Sequence, residues 1–123
     1  MNPVEQISQL EKQAELVLAE RANCSDIIPF CAEAISLMQS QPSLNNEFVN
    51  LLSSMSCPEF IAVCVHALRW PNLNQAVLQK YNRAVEQNDW RAEGELRSVV
   101  DAINPNWEDA RDFYSAYFHN LNP

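Results

Sequence analysis

CSDIIPFCAEAISLMQSQPSLNNEFV (Cys24–Val49) and CPEFIAVCVHALRWPNLNQAVL (Cys57–Leu78) are two versions of one segment, and a third, diverged version follows from Ala92. Their columns align as Cys24/Cys57/Ala92, Ile28/Ile61/Leu96, Cys31/Cys64/Val99, Ala32/Val65/Val100, Ala34/Ala67/Ala102 and Ile35/Leu68/Ile103. Each run is followed by a proline and a second segment: Pro42-Ser43-Leu44-Asn45, Pro71-Asn72-Leu73-Asn74 and Pro105-Asn106-Trp107-Glu108. Self-similarity at roughly 30–35 residues marks stacked helical units, each leaving an apolar face for its neighbour to cover.

Working outward, 123 residues suit one domain with a sizeable core. Gly94 is the only glycine. Hairpin-rich β folds and phosphate-cradling loops need several, so both are disfavoured. Sixteen acidic against eight basic side chains give a net charge of −8, which repels nucleic acid and anionic membrane and attracts a basic partner. The charge is segregated. Residues 1–68 carry eight acids and two bases, 69–85 three bases and no acid, and 86–123 eight acids and three bases. No basic-then-apolar leader opens the chain, and no apolar run reaches the roughly 18 residues of a membrane span, so a cytoplasmic protein with reduced thiols is expected.

The helix signals are periodic. Asn2 as cap and Pro3 at the first position open a helix with the stripe Val4, Ile7, Leu10, Ala14, Val17 and Leu18, and Asn23 is expected to end it in a left-handed stop. Its Glu- and Gln-rich opposite face suits the polar end of an array. Ser25 or Asp26 starts the second helix, with Pro29 in its first turn and the stripe Ile28, Cys31, Ala34 or Ile35, and Met38. Ser43 caps the third (Leu44, Phe48, Leu51, Leu52, Met55). Ser56-Cys57-Pro58-Glu59 reads as a capping box for the fourth, with the stripe Phe60, Ile61, Cys64, Ala67 and Leu68. The box logic recurs at Asn72-Leu73-Asn74-Gln75, and Asp89 and Asn106 open the sixth and seventh.

The period and the paired helices resemble HEAT- and armadillo-like repeats. The likeness spans residues 24–121 and is one of architecture, not of consensus motif. It implies an all-α, seven-helix right-handed α-solenoid: a capping helix (1–23), then helical hairpins over 24–55, 56–88 and 89–121, all in one domain.

Four cysteines spaced seven apart within each pair suggest zinc, but geometry opposes it. Seven helical residues advance roughly 10.5 Å, while zinc holds its sulfurs at about 2.3 Å. Repeat-equivalent thiols on stacked helices also sit too far apart for a disulfide. Since alanine and valine fill the same columns in the third copy, the cysteines read as small apolar packing residues. Trp107, Tyr114, Tyr117 and Phe118, with Phe113, Ala110 and Leu121, fall on one side of a C-terminal helix and read as core, not as a stacking platform.

No catalytic set, cofactor or metal site emerges. His66 and His119 are the only histidines. Cys64 and His66 are two apart on a helix and so point in different directions. Glu93 and Glu95 are likewise two apart and read as a solvated face. The basic interval is the polar feature worth following: Gln79, Arg83 and Glu86 lie opposite the apolar face of the fifth helix, with Lys80 near that face's middle, where it must snorkel to water or meet an acid. Gln79, Lys80 and Arg83 form the candidate partner surface. Gly94, inside a helix at a cost of about 1 kcal/mol against alanine, is expected to mark a close helix contact. Together these features suggest a non-enzymatic protein–protein interaction module, an acidic inhibitor, immunity or adaptor protein for a basic protein partner, and no nucleic-acid binder. The rival is a small-molecule or metal-binding regulatory domain built around the cysteines.

Overall fold

A computed structural model describes residues 2–21, 23–112, 114, 115, 117 and 118, with the side chains of Arg21 and Cys24 left aside. The sequence expectations for Cys24, Phe113, His119 and Leu121 therefore lie outside the described side chains. Among the described residues the chain is all-α, with no strand, in seven helices: α1 Pro3–Arg21, α2 Ile28–Ser40, α3 Leu44–Leu51, α4 Pro58–Leu68, α5 Pro71–Glu86, α6 Trp90–Asp101 and α7 Glu108–Asp112. Short 3₁₀ turns at Cys24–Ile27 and Leu52–Ser54 lead into α2 and out of α3.

Helix α4 occupies the centre. Phe60, Ile61, Ala62, Val63, Cys64, Val65, His66 and Leu68 are all buried, so the helix is apolar on every side and must be surrounded. It is: α2 lies against it on one flank, α6 on the other, and α1 also reaches it. Helices α3 and α5 are neighbours as well. The most extensive backbone approaches join α5 to α6 and α1 to α2. The repeat columns meet the core: Cys31, Cys64 and Val99 are each fully buried, as are Ala34, Ala102 and Ile35, and Ile61, Leu68 and Leu96 nearly so. Cys57 and Val65 are buried too, and the remaining described members, Ile28, Ala32, Ala67, Ala92, Val100 and Ile103, are half-buried.

Several capping expectations need correction. Asn2 does cap α1, its Oδ1 accepting the Glu5 N–H at 2.8 Å, and Asp89 caps α6 through the Ala92 N–H at 3.1 Å. Asn23, however, is extended (φ −108°), and its side chain accepts from the Ser25 N–H to start the 3₁₀ turn that precedes α2. Ser43 makes no side-chain cap. At α4 the cap residue is Cys57, whose thiol makes no cap bond but donates to Glu59 Oε2 at 3.6 Å, and no Ser56–Glu59 box forms. The Ser56 hydroxyl donates instead to the Glu15 carboxylate, and its N–H to Glu11, both on α1. Packing between helices has supplied what local sequence would have supplied in an isolated one.

Candidate functional site

The candidate surface sits on α5, which buries Leu73, Val77 and Ala84. Gln79 and Arg83 are exposed on its outer side, and Lys80 is half-buried. Its ammonium donates to the Leu52 carbonyl oxygen at 2.6 Å, where α3 passes into its 3₁₀ turn and the same oxygen also accepts the Met55 N–H at 3.3 Å. Burial pushes the lysine's pKa down, with Glu95 pulling the other way. The basic interval is thus divided, with Lys80 engaged inside the fold and Gln79 and Arg83 facing solvent. Arg69 ends α4 in the left-handed region (φ 53°) and its Nε donates to the His66 carbonyl at 3.4 Å.

Beside this face runs the α5–α6 seam. The Tyr81 hydroxyl on α5 donates to Glu93 Oε1 at 2.8 Å, and Arg97 Nε donates to the same oxygen at 3.0 Å. The Arg97 guanidinium first, and the Tyr81 hydroxyl second, hold the Glu93 carboxyl below its ordinary range. Glu93 is therefore a buried cross-helix anchor, where a solvated face was expected. Glu95 is exposed and pairs loosely with Arg91 at 3.5 Å.

One end of the seam carries a feature that sequence reasoning passed over. Trp90, the first residue of α6, is 67 % exposed, while Val85 and Leu78 are 40 % and 41 % exposed. Val85 and Leu78 are seven apart on α5 and share a face. The connecting turn brings Trp90 back to the end of α5, with Asn88 left-handed (φ 55°) and the Asp89 N–H donating to the Ala84 carbonyl at 2.9 Å. Glu86 and Asp89, the immediate neighbours of Val85 and Trp90, are exposed. The signal was available in the sequence as a tryptophan directly following a helix cap.

The three described thiols belong to the interior. Cys31, Cys57 and Cys64 are buried and free. Burial drives all three pKa values up, Cys57 to about 12, and the thiols of Cys31 and Cys57 push Cys64 further in the same direction. Among the described residues no group of three or more His, Cys, Asp or Glu is arranged to hold a metal ion. His66 is buried as well: it packs against Trp107 at 5.2 Å and Phe118 at 4.9 Å between ring centroids. Trp107, Tyr114 and Phe118 are core residues, as their spacing predicted. No described helix is long and apolar enough to cross a membrane. Set beside known proteins, the chain matches no family model, no curated protein and no solved structure.

Proposed function

We propose that this chain is a non-enzymatic protein-interaction module, acting as an acidic inhibitor, immunity or adaptor protein toward a basic partner. The observation that carries this reading is Trp90, two-thirds exposed at one end of the α5–α6 seam beside the half-open Val85. Tryptophan is the side chain most enriched at binding hot spots, and leaving so much of it in water is a cost that a partner would remove. Glu86 and Asp89 supply negative charge next to that apolar centre, within a segment (86–123) of eight acids and three bases. An aromatic anchor with an acidic rim suits a partner presenting an apolar pocket ringed by Lys or Arg. Gln79 and Arg83 extend the surface along α5. In this reading α2, α4 and α6 are the leading helices of a short right-handed solenoid of HEAT- or armadillo-like kind, whose rigidity presents the seam as a preformed face.

The test is affinity capture from the native cell at low and high ionic strength, with wild type and Trp90→Ala compared. The variant should keep wild-type stability to within about 0.5 kcal/mol, because the side chain is exposed. Partners held at low salt and released both by high salt and by Trp90→Ala support the reading. The same partners retained by the variant, or held regardless of salt, would refute it. The rival, a metal or small-molecule domain using the cysteines, needs thiolates where burial holds thiols protonated. Elemental analysis of protein purified without chelator separates the two, since a stoichiometric metal would favour the rival.

A further inference from the structure

Where α4 ends, its last turn faces α7 and the segment leading into it across a cavity of about 390 Å³. That volume lies within the roughly 300–1,000 Å³ of small-molecule sites. Its inner wall is aromatic, built from Trp107 and Phe118 packed on His66. The His66 Nδ1 lies 2.9 Å from the Ala102 carbonyl oxygen. A carbonyl only accepts, so this nitrogen carries the hydrogen and Nε2 is left with its lone pair in a neutral ring. Burial, which lowers the histidine's pKa, keeps it neutral.

Charge on the cavity lining runs against the rest of the molecule. Among the described residues that line it, Arg69 and Arg111 stand against Glu108 as the one acid, giving +1 locally in a chain of −8. Among the described residues Arg111 pairs with Asp112, through an exposed contact at 3.3 Å that water screens. Arg69 holds a left-handed backbone conformation (φ 53°) that glycine adopts without strain. Strained positions of this kind cluster where a side chain is needed in one place. Here the position delivers a guanidinium to the rim of an aromatic-walled cavity.

We propose that this cavity binds a small planar aromatic carboxylate, the carboxylate between Arg69 and Arg111 and the ring against the Trp107–Phe118 wall. Guanidinium is the donor that matches a carboxylate's two oxygens, and an aromatic ring fills the apolar wall better than an aliphatic one. The site is independent of the Trp90 seam, and either can fail without the other.

The experiment titrates the whole protein with 2-naphthoate by calorimetry, using 2-naphthamide as a neutral isostere. Naphthoate should bind saturably at one site, at least about tenfold more tightly than the amide, the worth of roughly one charge-assisted contact. Arg111→Gln and Arg69→Gly should each weaken naphthoate about tenfold or more. Because glycine relieves the left-handed strain, Arg69→Gly should melt no lower than wild type, which separates lost binding from lost folding. Absence of saturation below about 10 mM, equal affinity for acid and amide, or wild-type affinity in Arg111→Gln would overturn the proposal.

Discussion

The Glu11 carboxylate on α1 accepts the backbone N–H of Ser56 at 3.3 Å, at the point where the chain enters α4. One helix thereby caps the start of another 45 positions later in sequence. Glu11 is 2 % exposed, and Glu15 beside it takes the Ser56 hydroxyl. This pair fastens the first helix to the central one, so α1 is more than a polar lid over the array.

Burial raises the Glu11 pKa above its ordinary 4.5 and the Glu15 charge adds to the rise, while the Ser56 and Cys57 N–H groups and Lys12 oppose it. The native state therefore holds this proton more tightly than the unfolded chain does. The resulting stabilisation is full below the ordinary value and is lost as pH rises through the native one. Glu11→Gln removes the titration and keeps an acceptor. The stability of wild type minus that of Glu11→Gln should fall as pH rises from about 4 to 7, measured by urea unfolding at each pH. A difference that does not vary with pH contradicts this. Glu11→Ala, which strands the buried donors, should cost about 1–3 kcal/mol at any pH in that range.

The three described thiols should be chemically silent. A thiol with a pKa near 12 (Cys57) is about one part in ten thousand thiolate at pH 8, and Cys31 and Cys64 are more deeply buried still. Treated with an aromatic disulfide reagent at pH 8, native protein should modify at most one thiol per chain quickly, leaving that allowance to Cys24. All four should react after denaturation. Fast labelling of two or more in the native state would show that the interior opens far more readily than its packing implies.

The element count and the core columns were legible because they rest on periodicity. Cys31, Cys64 and Val99 sit at one repeat position and are all fully buried. The same reading treated α4 as two-sided, yet Ala62, Val63 and His66 are buried too. The run Phe60–Leu68 has His66 as its one polar member, a composition that itself indicates a helix enclosed all round. What could not be read was pairing at a distance. Glu11 with Ser56, Lys80 with Leu52 and Tyr81 with Glu93 each join residues 12 or more positions apart in sequence, and no local rule selects those partners. The capping motifs misled for the same reason: Ser56 and Glu59 can cap α4, but a buried carboxylate from α1 takes the donor first.

Gly94 illustrates the reverse error, a local feature given a tertiary cause. A Cβ built there meets nothing within 4 Å, and the position is exposed, so no close helix contact demands glycine. Gly94→Ala should then stabilise α6 by about 0.5–1 kcal/mol through helix propensity and lost unfolded-state freedom. Thermal melting tests this directly. A lower melting temperature would mean that the α6 backbone at Gly94 is constrained in a way that its open surroundings do not show.

Lys80 offers the sharpest separation of structure from surface. Its ammonium reaches the Leu52 carbonyl at 2.6 Å, while Arg83, one turn further along α5, is exposed. Lys80→Met keeps the aliphatic stem in place but removes this bond, leaving the carbonyl with the Met55 N–H at 3.3 Å. The loss should be about 1–2 kcal/mol, less than a charged hydrogen bond is worth at its strongest, because burying the ammonium carries a desolvation cost that methionine avoids. Arg83→Ala should stay within about 0.5 kcal/mol of wild type. Urea unfolding of the two variants side by side decides the matter. If Lys80→Met unfolds at the wild-type midpoint, the bond to Leu52 contributes nothing net, and Lys80 returns to the solvent-facing surface alongside Gln79 and Arg83.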